Sequence, residues 1–115
     1  MQLKTQKYLF DIKVSIESIF EYLGEQRNFN DYMANKQLRR SVERELEIIG
    51  EAMSKILQIN PDISIANSRK IVGLRNRVIH AYDSVDNEVV WGIVVNHLPT
   101  LRKDVDKLLE ISYND

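Results

Sequence analysis

The 115-residue chain contains no cysteine. That absence excludes disulfide frameworks, thiolate zinc sites and cysteine nucleophiles together. Glycine and proline are scarce, four and two residues. Neither a glycine-rich phosphate loop nor the strained elbow of a serine hydrolase can be built from them here. No low-complexity tract or repeat of useful period occurs. Neither sign of charge dominates: 16 basic and 17 acidic residues leave a formal net charge of -1. General electrostatic adhesion to nucleic acid or membrane is therefore not expected, and an RNA or DNA partner would have to be met at a local site. No apolar run is long enough to span a bilayer, and the opening "MQLKTQKYLF" lacks the apolar run of a signal peptide. A cytoplasmic protein without membrane contact is the expectation. The length suits one domain, residues 1–115, with one modest core.

What the chain has in abundance is apolar residues at helical spacing. Tyr8, Leu9, Ile12, Ile16, Ile19, Phe20 and Leu23 mark a first amphipathic helix that ends near Gly24. A polar connector, "EQRNFNDY", follows. A second helix carries Leu38, Val42, Leu46, Ile49, Met53, Ile56 and Leu57 and stops before Asn60-Pro61. "DISIAN" resembles a strand, but an isolated strand has nothing to pair with, so it reads as a loop. A third helix begins at Asn67 or Ser68, either of which can cap it, and runs through "IVGLRNRVIHAY". "DSVDNE" then makes a turn in which Asp86 caps a fourth helix containing "VVWGIVV". β-branched residues make a strand the competing reading there, and helix is preferred. Pro99 either kinks this helix or starts a fifth. The sum is an all-α, up-and-down bundle of four or five helices.

The third helix raises the functional question. With Arg75 set at zero on a helical wheel, Ile71, Val72, Leu74, Val78, Ile79 and Tyr82 fall between about -100° and +60°. Arg75 thus sits near the middle of an apolar arc. Asn76 and His80 share its edge, one turn apart, and Arg77 points away. A charge centred on an apolar face is costly unless paired. One reading is structural: a buried ion pair with Glu45, which falls among Leu38, Val42 and Ile49 on the second helix. The other is chemical. Arginine can bind a phosphate in bidentate fashion and stabilise charge developing on it. Histidine can move the proton of a ribose 2′-hydroxyl or of a leaving oxygen. No metal site is expected, because His80 and His97 lie on different predicted helices and no HxxxH or HxxE spacing occurs.

Arg75-Asn76-x3-His80-x-Tyr82 resembles the RX4HXY motif of HepT-like toxins, within the HEPN superfamily of α-helical ribonucleases. "LEIIGEA", "IVGLRNRVIHAY" and "VDNEVVWGIVVNHLPTLR" read like that family in the right order, so the resemblance spans roughly residues 5 to 112. Asp83 and Ser84 depart from the pattern, as does Glu45, where relatives often carry another polar residue.

The resemblance implies a homodimer whose motif helices meet across a two-fold axis, each site drawing on both subunits. It implies metal-independent endoribonuclease chemistry without a cofactor, by 2′-hydroxyl attack that leaves a cyclic phosphate. Arg75 would hold the phosphate, Asn76 orient by hydrogen bonds and His80 transfer protons, with Glu45 and Arg77 in support. It further implies a partner, an MntA-type minimal nucleotidyltransferase antitoxin that silences the toxin by adding AMP to Tyr82. A function of another class fits the same helices: a non-catalytic subunit that binds nucleotides or docks onto a nucleotidyltransferase.

Overall fold

The computed structural model describes residues 1–25, 27–74 and 84–114, with the backbone alone at 84–86 and 112–114. Six helices and no strand lie among them: α1 (Leu3–Leu23), α2 (Phe29–Ala34), α3 (Lys36–Ile59), α4 (Ser68–Val72), α5 (Ser84–Asn96) and α6 (Leu98–Asn114). The all-α bundle expected from periodicity is the observed architecture.

Its spine is the α1–α3 pair, which makes the most extensive contact in the fold. α1 offers Leu9, Ile12, Ile16 and Ile19, three or four residues apart, and all four are fully buried. α3 answers with Val42, Leu46, Ile49, Met53 and Ile56, also fully buried. Each such side chain contributes about 1.5–3 kcal/mol on leaving water, so these two stripes dominate the stability of the domain. α6 closes the other side of α1 through Leu101, Val105 and Leu109. Ion pairs along that seam, Lys13 to Asp106 at 3.2 Å and Arg102 to Glu17 at 4.0 Å, are half-exposed and add little.

The helix ends follow local chemistry. Gly24 terminates α1 at φ 71°, a left-handed conformation that glycine adopts without penalty, and donates its N–H to the Phe20 carbonyl. α3 stops at Ile59, ahead of Asn60-Pro61, as expected. The "DISIAN" segment contains no strand. Ile63 and Ile65 are buried under it, and the Ala66 N–H donates to Asp104 Oδ2 at 3.0 Å, which ties the loop to α6.

Three expectations are corrected. The connector "EQRNFNDY" is not wholly irregular, because α2 occupies its second half and runs on to Ala34. Asn28 caps that helix by accepting from the Asp31 N–H, and Asn35 does the same for Leu38 at the start of α3. Six residues are too few to display a stripe, so periodicity misses α2. The segment "DSVDNE" is helical from Ser84 onward, which puts Asp86 within α5 instead of at its cap. An acidic residue is favoured at either place by the helix dipole, so composition could not separate them. Asn67 occupies the N-cap position of α4, but in a left-handed conformation (φ 59°) with no side-chain cap bond. The described part of the third predicted helix is α4, and its expected continuation past Leu74 lies outside the described residues.

"VVWGIVV" is helical within α5. Between the two readings of Pro99, the structure takes the second. α5 ends at Asn96, the His97 N–H still bonds back to the Ile93 carbonyl, and α6 starts at Leu98 with Pro99 in its first turn. There the missing N–H costs nothing.

Candidate active site

Arg75, Asn76, Arg77, His80 and Tyr82, the motif residues, all lie outside the described residues. What the structure supplies is the frame on either side of them. On the upstream side α4 directs Ile71 into the core, and Leu74, the last described residue before the motif, is 3% exposed. On the downstream side α5 presents Val90 and Val94 inward, both fully buried. The motif segment is thus bounded at both ends by anchored apolar residues.

Between these flanks lies a cleft of about 490 Å3, walled by Ile71 from α4, Leu74 just beyond it, Val89 and Ile93 from α5, and Leu98 from α6. Lys70 and His97 stand at its rim, both exposed. The walls are apolar, so this cleft suits side-chain packing better than phosphate binding. Asn87, in the first turns of α5, is buried, and its Oδ1 has no hydrogen-bond partner among the described residues. A buried carbonyl oxygen left unsatisfied costs about 1–3 kcal/mol. Asn87 reads in the sequence as one more turn residue, and nothing in its spacing marks it as buried.

Glu45 is described, and it is half-buried on the face of α3 turned toward α1. The hydroxyl of the buried Ser15 donates to it. Burial pushes its carboxyl above the ordinary carboxylate range, while the Ser15 hydrogen bond and the Arg44 guanidinium pull the other way. Glu45 therefore has a partner on α1. Whether it also meets Arg75 lies outside the described residues.

Glu45 also lines a second groove, between α1 and the first half of α3, about 700 Å3 in volume. Lys36, Arg40 and Arg44 line it at every fourth position, with Ser41 beside them and Tyr22 of α1 opposite. The i, i+4, i+8 spacing of these cations is plain in the sequence, but the spacing alone does not show that they share a groove. No group of three or more His, Asp or Glu side chains able to hold a metal ion occurs among the described residues. None of the described helices is long and apolar enough to cross a membrane.

The family model described as "Ribonuclease HepT-like" matches residues 12–108, a span that contains every motif residue. The chain belongs to the HepT-like ribonuclease family. Relatives of similar length agree. "Probable ribonuclease HepT" of Thermococcus cleftensis is 36% identical over 112 residues, covering 94% of this chain and 98% of its own. "Putative RNase MJ1380" of Methanocaldococcus jannaschii is 36% identical over 103 residues, with coverages of 86% and 91%. "Putative RNase TTE0752" of Caldanaerobacter subterraneus is 31% identical over 84 residues, with coverages of 72% and 75%. No solved structure matches the chain. Membership in this HEPN family makes the chain a ribonuclease by class.

Proposed function

We propose that the chain is the toxin of a HepT/MntA-type pair, an endoribonuclease that cleaves RNA without a metal. The observation that carries this reading is the coincidence of the family match over residues 12–108 with a complete Arg75-Asn76-x3-His80-x-Tyr82 set inside it. The chemistry needs those residue types. His80 takes the proton of a ribose 2′-hydroxyl, whose oxygen attacks the adjacent phosphorus. The P–O5′ bond breaks, a 2′,3′-cyclic phosphate remains, and a proton is delivered to the departing 5′-oxygen. Arg75 neutralises the charge that builds on the phosphoryl oxygens. Asn76 orients the phosphate or His80 by hydrogen bonds, and Arg77 makes a peripheral RNA contact.

One histidine per motif is thin for a reaction that needs a base and an acid. Two chains facing each other across a two-fold axis supply both, so the active form is a homodimer. Tyr82 receives AMP from a cognate MntA-type nucleotidyltransferase. The added phosphates then put bulk and negative charge where substrate phosphates must bind.

Purified wild type should cut RNA in EDTA and leave cyclic phosphate ends, read by mass spectrometry. His80→Ala should lose roughly 100-fold or more of that rate, the usual scale for an acid-base group, while keeping its helical circular dichroism. Cleavage that vanishes with chelation and returns with a metal would overturn the chemistry. Full activity in His80→Ala would remove the residue from it.

A further inference from the structure

The groove between α1 and α3 has no role in the chemistry above, and its lining is unusual. Lys36, Arg40 and Arg44 are all exposed on one face of α3. Consecutive members are one helical turn apart, about 6 Å along the axis. That step is comparable to the spacing of successive phosphates in an extended single strand. Arg44 has a weak pairing with Glu47 at 3.5 Å, and among the described residues Lys36 and Arg40 are in no ion pair. Lys36 also stands at the wrong end of its helix. α3 has no acidic residue in its first turn, and Lys36 opens it where the helix dipole favours negative charge. Lys36 has no ion pair among the described residues to offset that cost, a local inconsistency of the kind that marks a functional surface. On the facing wall Tyr22 is 46% exposed, a large ring left in water beside the cations.

We propose that the α1–α3 groove binds the backbone of single-stranded RNA, with Lys36, Arg40 and Arg44 on successive phosphates and Tyr22 stacking on a base. The inference rests on the ribonuclease reading and adds to it a place, outside the motif helix, that holds substrate. Single-stranded RNA is the fitting class because the ladder is one phosphate row wide and has an aromatic wall, the combination such strands use. A chain of net charge -1 cannot hold RNA by overall charge, so its affinity has to come from a strip of this kind. Glu45, held by Ser15 in the same lining, repels phosphate and keeps the strand on the ladder. Its carboxylate is placed to accept from the amino group of a base.

The test uses a fluorescein-labelled 2′-O-methyl dodecanucleotide, which lacks the attacking hydroxyl and so reports binding alone. Fluorescence anisotropy against the full chain is measured over a range of salt. Lys36→Gln, Arg40→Gln and Arg44→Gln should each weaken binding roughly 3- to 10-fold. The triple variant should also flatten the slope of log affinity against log salt by about 2, or about 0.7 for each lost phosphate. Tyr22→Ala should lose affinity at unchanged slope, because stacking releases no counterions. Gln37→Lys, at an exposed position lining the same groove, should tighten binding and steepen the slope. It keeps the test decisive even if the triple variant fails to fold.

A wild type that does not bind the probe overturns the proposal. So does a folded triple variant with unchanged affinity and slope, or one that keeps the probe while losing poly-glutamate, which would make the groove a site for acidic protein. The two readings fail separately. If wild type cuts RNA and the triple variant binds normally, the groove is wrong and the ribonuclease stands. If RNA binds through the ladder and is never cut, the groove stands and the ribonuclease reading falls.

Discussion

Tyr32 of α2 packs on Trp91 of α5, with ring centroids 5.0 Å apart and planes inclined by 37°. Phe29 meets the same indole at 5.9 Å. Through these contacts a six-residue helix too short to stand alone is clamped between α3 and α5, and the segment after α1 is fixed in place. The ring of Tyr32 is 1% exposed, and its hydroxyl is buried with no hydrogen-bond partner among the described residues.

A first prediction follows from that orphaned hydroxyl. Tyr32→Phe keeps the ring against Trp91 and removes a polar atom whose desolvation is not repaid. The variant should gain about 1 kcal/mol, or roughly 4 °C in melting temperature for a domain of this size. The pH dependence carries a sign of its own. Burial pushes the Tyr32 phenol up to about 12 from its ordinary 10, with Glu43 reinforcing the shift and Arg39 opposing it. The fold thus favours the neutral phenol. Its contribution is fully present below pH 10 and is lost as pH climbs through about 12. Urea unfolding in this window should show an alkaline loss in wild type that Tyr32→Phe lacks. A partner for the hydroxyl would instead make Tyr32→Phe less stable at neutral pH.

Glu45 gives a second prediction. Its folded carboxyl titrates above the ordinary value chiefly because of burial. Such a group favours the fold when protonated, below its unfolded pKa, and loses that contribution as pH rises through the folded pKa. Glu45→Gln keeps an acceptor for Ser15 without the charge. The variant should match wild type near pH 4 and be equal or slightly more stable at pH 7, by thermal melts at both values. A clear destabilisation at pH 7 would mean that a cation holds the Glu45 carboxylate charged in the fold.

The bundle was legible because its strongest signals are the ones physics makes repetitive. Leu9, Ile12, Ile16 and Ile19 can only form a stripe on a helix, and the same holds for Val42, Leu46, Ile49, Met53 and Ile56. Breakers at Gly24, Pro61 and Pro99 set the boundaries between helices. α2 was not legible because its stability comes from Trp91, some sixty residues away in sequence, and from caps that any asparagine-rich connector could contain. Partners set by the tertiary fold are equally hidden, as with Ser15 against Glu45. The motif residues were readable as chemistry, since a helical wheel sets Arg75 and Tyr82 within an apolar arc and Asn76 and His80 at its edge. The cationic ladder on α3 was readable as spacing, but only the fold shows Tyr22 facing it.

Assembly is the third prediction. Sedimentation at micromolar concentration should give twice the 13.5 kDa chain mass. An unmixed monomer that still cuts RNA would remove the composite site and require a single His80 to act as both base and acid. Mixing excess His80→Ala with wild type should lower activity by forming mixed dimers, a readout that a monomeric enzyme would not show.

The last prediction concerns silencing. Incubated with a cognate nucleotidyltransferase, ATP and magnesium, the chain should gain whole adenylyl units, and cleavage should fall in step. Tyr82 stands two residues beyond His80, at the end of the motif and two residues before Ser84 of α5. On the proposed chemistry, a nucleotide attached there would add negative charge to the segment that carries Arg75 and His80. Among the other tyrosines, Tyr32 is closed to modification by burial, whereas Tyr22 is 46% exposed and provides the internal control. Tyr82→Phe removes the acceptor oxygen alone. It should stay unlabelled by intact mass and should resist silencing, while Tyr22→Phe should label and be silenced like wild type. Labelling that persists in Tyr82→Phe and disappears in Tyr22→Phe would move the switch to the α1–α3 groove. Silencing would then act by blocking the strand that the groove holds, and Tyr82 would be left without a part in it.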